Sequence, residues 1–454
     1  MREAVIDKVR AAGVVGAGGA GFPTHIKLQF DVKRVLANGA ACEPLLVSDP
    51  YLMAAHTGQV LDGLATVVRC LKAEGGTVCL KSKHQGALTS LEKGVSANGY
   101  EGLLDVFELE DFYPAGDEFI LVNEVLGKIV PEGGIPLNVQ TVVSNIESLL
   151  NISRAMNDLP VTDRYLTVCG EVRQPMVIKV PIGTATDKVI ERAGGPLISD
   201  FKVVMGGPMM GNVLATGTEP VTKTTSGIIV LPASHNVIQY KKKSLAQMRF
   251  IAKSACTQCS RCTELCPRNM IGHALEPHRI MRHLAYTPAT AGEMTAGEGA
   301  EVLEDALICS ECGICEKFAC PMMLSPREIN AAVKKELMGK GSKREPVRET
   351  FRVSPFKETR KVPLNRLMER LQVARYDIHP PFYEDEIPIT NVTIPLQQHI
   401  GQPALAVVNT GDPVKKGDLI GEIPEGALGA RVHASIDGIV TAVDDTVVIE
   451  KRQA

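Results

Sequence analysis

The sequence predicts a multidomain chain of mixed α/β and α+β class with a helical, cysteine-rich segment ahead of a small all-β terminus. Three observations carry that expectation. A glycine-rich loop follows a short helical stretch near the N-terminus, two tight cysteine runs lie between positions 256 and 320, and short strands with Gly-Asp and Asp-Gly turns close the chain. At 454 residues there is room for about three domains of ordinary size, at roughly 150 residues each. With 49 basic and 52 acidic side chains the net charge is only -3, so no global field favours nucleic acid or an anionic membrane surface. No apolar run approaches the ~20 residues of a membrane helix, and the opening MREAVIDKVRAAG alternates charged and apolar residues where a signal peptide would have an apolar core. A cytoplasmic protein with no nucleic-acid partner and no membrane insertion is expected.

Eight of the 12 cysteines fall in the two runs. Cys256, Cys259, Cys262 and Cys266 read CxxCxxCxxxC before Pro267, and Cys309, Cys312, Cys315 and Cys320 read CxxCxxCxxxxC before Pro321. Three thiolates two residues apart wrap one face of a cubane in a single loop, and the fourth iron takes a distant cysteine, which in two-cluster ferredoxins comes from the other run. Two [4Fe-4S] clusters are expected, one on Cys256, Cys259, Cys262 and Cys320, the other on Cys309, Cys312, Cys315 and Cys266. The alternative, a pair of zinc sites, fits less well, because zinc sites pair two CxxC halves. Cys42, Cys70, Cys79 and Cys169 are scattered and are expected to be small buried hydrophobes.

In GVVGAGGAGFPTHIKL, Gly16, Gly18, Gly19 and Gly21 form a loop whose backbone can approach an anion closely, and Lys27 follows within two turns. Such a loop can cradle a phosphate, and it can equally be a purely structural turn. GAGGAGFPTHIK resembles the flavin loop of the FMN- and NADH-binding subunit of respiratory complex I, and further segments follow in the same order. ANGAACEP, with Asn38 and Glu43, is similar to the second flavin segment of that family. YPAGDE, with Tyr113, Gly116, Asp117 and Glu118, resembles the third, and VSNIESL, with Asn145 and Ser148, the fourth. The resemblance implies FMN, with the Gly16–Gly21 loop and Lys27 on its phosphate. It also implies contacts from Asn38, Glu118 and Asn145, with Phe22 bordering the nicotinamide of NADH. At Ala40 and Ala41 the chain departs from the acidic residues of that family. The alternatives are a solvated Lys27 and a helix-capping Glu118.

From Tyr165 to about Val213, alternating strands, a turn at Gly183 and an amphipathic helix ending at Gly194 and Gly195 make a small α+β unit. It resembles an SLBB β-grasp domain, and GGPMMG follows it; packing is its expected role. The stretch before Cys256 has apolar positions at helical spacing, so the first run should stand at the end of a helix. The terminal segment resembles a barrel-sandwich hybrid of the biotinyl and lipoyl type, with Ala427 where a carrier lysine would fall. The expected domains are therefore FMN/NADH-binding (1–158), SLBB (159–238), two-cluster ferredoxin (239–340), a linker with one short helix around LNRLMERLQ (341–385) and the hybrid (386–454).

In this order the chain resembles the cobalamin reductases of bacterial propanediol-utilisation microcompartments. That family relationship implies an NADH-dependent oxidoreductase that supplies electrons to cob(III)alamin and cob(II)alamin. A corrinoid or corrinoid adenosyltransferase and the shell proteins of the microcompartment would be partners, and the location would be the microcompartment lumen. A relay component similar to RnfC of the Rnf membrane electron-transport complex is the alternative, as is a microcompartment flavoprotein with a different acceptor. A targeting or docking role for the N-terminal helix is a further one.

Overall fold

The computed structural model describes residues 2–286, 295, 299–345, 350–385 and 387–452. Helix α1 (Arg2–Ala11) leads into the glycine loop, and a parallel sheet follows, built from β1 (Arg34–Gly39), β2 (Gly75–Lys81), β3 (Leu104–Leu109) and β4 (Thr141–Asn145). The spatial order is β3-β2-β1-β4. Parallel sheets are covered on both faces, and β1, β2 and β4 are mostly buried to match, while the edge strand β3 exposes Asp105 and Glu108. Val35 and Ala37 of β1 face one core, shared with helices α2 (Thr57–Cys70) and α4 (Ile146–Met156). Leu36 faces the other, shared with α3 (Glu118–Leu126). At Gly63 of α2 a Cβ would fall 2.0 Å from the Leu149 carbonyl oxygen of α4, so the crossing requires glycine there.

The second unit joins β5 (Asp163–Gly170) and β6 (Met176–Pro181) as a hairpin, followed by the short helix α5 (Thr186–Arg192), β7 (Phe201–Met205) and β8 (Gly227–Pro232). Strand β8 lies parallel to β5 and antiparallel to β7. The cysteine-rich unit packs helices α6 (Leu245–Ala255), α7 (Pro277–Tyr286) and α8 (Pro326–Gly339) around Met248, Ile280, Leu303 and Val333. Helix α6 ends on Cys256, as its spacing predicts.

The segment expected as a linker is instead a packed strap over its described residues. Val362–Pro363 pairs with Phe112–Tyr113 of the first domain, helix α9 (Leu364–Leu371) buries Leu364, Leu367, Met368 and Leu371, and Phe382–Tyr383 extends the β6 edge. Its prolines and basic residues give the appearance of a free linker. Its apolar positions have partners far away in sequence, which local composition does not reveal. The terminal unit has a four-stranded and a three-stranded sheet. Between Leu419–Glu422 and Val432–His433 the tip bearing Ala427 is fastened down, Leu428 O accepting from Gln402 N at 2.9 Å.

Lys223 ties three of these units together. Its buried ammonium donates to Gly13 O at 2.7 Å and Arg431 O at 2.6 Å, and burial draws it down from 10.5 to about 7. Between those pH values the unfolded chain binds the extra proton, so stability contributed at this site rises with pH. The stability difference between wild type and Lys223→Met should therefore shift in favour of wild type by up to about 4 kcal/mol from pH 7 to pH 10.5. Urea denaturation at both pH values checks it; a pH-independent difference contradicts it.

Candidate flavin and iron–sulfur site

Ligands of parallel α/β sheets bind at the carboxyl ends of the strands. Here Asn38 at the end of β1 and Asn145 at the end of β4 are register partners. Asn145 caps α4 by accepting from Glu147 N at 2.9 Å and donates to Asp49 at 3.1 Å. Gly18 lies against it, where a Cβ would stand 3.0 Å from the Asn145 amide nitrogen, and a Cβ at Gly19 would meet nothing within 4 Å. Asn38 donates to Gly116 O at 2.8 Å.

Gly18, Asn38, Asp49, Gly116 and Asn145 border a cleft of about 260 Å³, whose wall also includes Tyr113, Asp117, Arg164, Met210, Ser310 and Cys312. One cleft thus runs from the glycine loop to the second cysteine run. Two contacts hold that junction. Tyr113 donates its hydroxyl to Cys312 O at 2.7 Å, and Asp117, the N-cap of α3, pairs with Arg268 at 2.9 Å, two residues beyond Cys266.

Of the remaining expected flavin residues only Glu43 borders this cleft. Lys27 donates to Val143 O at 3.1 Å and lies 3.6 Å from Glu118, with the Phe22 ring centre 5.9 Å away. The three form a group of their own beside the glycine loop. Gly16 closes that loop by donating to Phe22 O at 2.9 Å. Ser148 supports it from beneath, accepting from Ala17 N at 2.9 Å. Gly21, with φ of 74°, is pressed against Gln398 and His399 of the terminal unit. Glu43 borders the cleft, yet its two carboxylate oxygens accept from Met209 N and Met210 N, each at 2.9 Å. Burial pushes this carboxyl up, against the pull of those N–H groups and of Lys317 and Lys241. The carboxylate is a clamp on the GGPMMG loop, a contact between domains that the flavin-segment resemblance does not anticipate.

Sequence reasoning missed Asp49 and Arg164. Burial, helped by Glu147, pushes Asp49 up to about 7, while Arg164 and the Asn145 amide oppose it. Arg164 is buried in an ion pair with Glu147 and donates to Ala17 O at 2.9 Å and Thr225 O at 2.6 Å. A signal existed. Arg164 shares its strand face with Leu166 and Val168, a charge on an otherwise apolar row.

The cysteines of the two runs interleave in space. Cys266, Cys309, Cys312 and Cys315 border one small cavity, and Cys256, Cys259, Cys262 and Cys320 another. Burial pushes the thiols of Cys262 and Cys266 up to about 12, and neighbouring cysteines add to the shift. Four thiolates therefore coexist in such a space only around a cationic core, and soft sulfur donors suit iron–sulfur groups. Both cavities fit that donor chemistry, and the cleft, with its side-chain-free wall at Gly18, fits a flavin. Cys70, Cys79 and Cys169 are buried among apolar residues; Cys42 borders the cleft, its sulfur accepting from Gly116 N at 3.3 Å.

Residues 9–154 match the Nuo51 FMN-binding domain, 165–213 the SLBB domain, 255–325 the 4Fe-4S dicluster domain and 384–454 the RnfC barrel sandwich hybrid domain. Cobalamin reductase PduS of Citrobacter freundii is 39% identical over 98% of this chain and 95% of its own length. This chain belongs to the PduS cobalamin reductase family. The PduS protein of Salmonella typhimurium is also 39% identical, over 98% of this chain and 96% of its own length. A component of the Na(+)-translocating ferredoxin:NAD(+) oxidoreductase complex of Acetobacterium woodii is 34% identical over 58% of each chain. PduS family membership, the FMN-binding domain and the dicluster domain make the chain a flavin and iron–sulfur oxidoreductase.

Proposed function

We propose that this chain takes electrons from NADH and delivers them to a corrinoid, cob(III)alamin or cob(II)alamin, for coenzyme recycling in a bacterial microcompartment. The observation that carries it is the single cleft bordered by Gly18 and Asn145 at one end and by Cys312 at the other. A bound flavin accepts the two electrons of a hydride together and releases them singly, and each iron–sulfur cluster carries one. Asn38, Asn145, Glu118 and the backbone of the Gly16–Gly21 loop hold the FMN, with Lys27 on its phosphate, and Phe22 borders the nicotinamide. Cys266, Cys309, Cys312 and Cys315 hold the cluster next to the cleft. Cys256, Cys259, Cys262 and Cys320 hold a second one, where Cys259 is exposed to the solvent side.

A relay role of the RnfC kind is favoured by the matched hybrid domain, but the ion-translocating relatives align over little more than half the chain, and the PduS relatives over nearly all of it. Among the described residues no helix is long and apolar enough to cross a membrane. The N-terminal helix is poorly suited to targeting, because Val9 is buried and Lys8 bonds Met156 O at 2.9 Å. An adenosyltransferase and shell proteins remain the expected partners.

Anaerobic protein mixed with NADH and then cob(III)alamin should show bleached flavin, reduced iron and catalytic corrinoid reduction. Flavin left oxidised would remove NADH as donor; reduced iron without corrinoid turnover would favour the relay role.

A further inference from the structure

The GGPMMG loop, residues 206–211, has no role in the chemistry so far assigned, yet charged side chains from three parts of the chain converge on it. Glu43 of the first domain accepts from Met209 N and Met210 N at 2.9 Å. Lys317, inside the second cysteine run between Cys315 and Cys320, is 1% exposed and donates to Pro208 O at 2.8 Å and Met209 O at 2.6 Å. Lys241, ahead of α6, donates to Gly211 O. The approach is close enough to exclude side chains, since a Cβ at Gly207 would fall 2.0 Å from a Glu43 oxygen. Met209 is fully buried in a core shared with Leu45, Tyr113, Ile314 and Ala319. Met210 is 45% exposed and borders the same cleft as Cys312. Each of these charged groups is costly to bury, and fixing one backbone segment is what their hydrogen bonds accomplish.

We infer that the GGPMMG loop, clamped by Glu43 and Lys317, fixes the gap between the flavin cleft and the Cys312 cavity, with Glu43 as a positioning residue and not a flavin ligand. This rests on the proposed donor and relay roles of those two sites. Two electrons enter the cleft with the hydride of NADH, leaving NAD+. They leave one at a time across this gap, so its width governs the onward step and not the hydride step.

Glu43→Gln keeps the shape of the side chain but replaces one acceptor oxygen with a donor that faces a backbone N–H. Amide hydrogen exchange at Met209 and Met210 should accelerate in this variant at least tenfold. FMN content and the rate of flavin bleaching by NADH should stay at wild-type values. Reduction of the iron after bleaching should be slower than in the wild type. Loss of FMN, unchanged exchange or an unchanged onward rate would each overturn the inference. Lys317→Met, which releases the loop from the opposite side, must give the same selective slowing, and serves alone if the Glu43 variant does not fold. The exchange readout needs neither NADH nor flavin. A wild-type protein that NADH fails to bleach would therefore count against the donor assignment and leave the clamp itself tested.

Discussion

Replacing Cys320 with alanine is expected to empty the cavity of Cys256, Cys259 and Cys262 while the other cavity keeps its iron. Iron content should fall from about eight to about four atoms per chain. The reason is spatial: Cys320 borders the first-run cavity, and Cys266 borders that of Cys309, Cys312 and Cys315. A cubane deprived of one thiolate in a partly open cavity has only water to replace it. Pairing the change with Cys259→Ala distinguishes crossed from uncrossed ligation. If the two cysteines serve one cluster, the double variant retains about four irons; if each run is self-contained, it loses all of them.

Arg164→Met should cost about 3–5 kcal/mol of stability and release FMN. Its guanidinium is the buried partner of Glu147 and also holds Ala17 O within the glycine loop. Removal strands Glu147, which is 1% exposed and close enough to Asp49 to help raise its pKa, with only the weaker pull of Arg154 left to balance it. Adding Glu147→Gln should recover much of the stability, because the uncompensated buried charge is gone, but not the FMN, because Ala17 O has lost its donor. Urea denaturation of both variants, with flavin absorbance after gel filtration, measures the two effects separately. Equal losses in the single and double variants would contradict this account.

What the sequence made legible were features written in local spacing. The two cysteine runs, the helix that ends at Cys256 and the amphipathic helix at Leu364–Leu371 each declare themselves within a dozen residues. Features that depend on which distant backbone group meets a side chain did not. Glu43 is 166 positions from Met209, and Arg164 is 147 from Ala17. Periodicity marks Arg164 as a charge on an apolar row but points to the partner in neither pairing. Asp49, in Ser-Asp-Pro, reads as an ordinary helix start, and only the fold turns its carboxyl toward Asn145. The strap over 350–385 was hidden in the same way. Its pairings with Phe112–Tyr113 and with β6 join segments that share no pattern.

The adjacency of the flavin cleft to the Cys312 cavity is tested most directly by electron paramagnetic resonance on two single-cavity variants reduced with NADH. Cys320→Ala should retain only the iron beside the cleft, and Cys266→Ala only the iron remote from it. NADH is expected to bleach the flavin in both, to reduce the remaining iron in Cys320→Ala, and to leave it oxidised in Cys266→Ala. Reduced iron in Cys266→Ala with oxidised iron in Cys320→Ala would contradict the account.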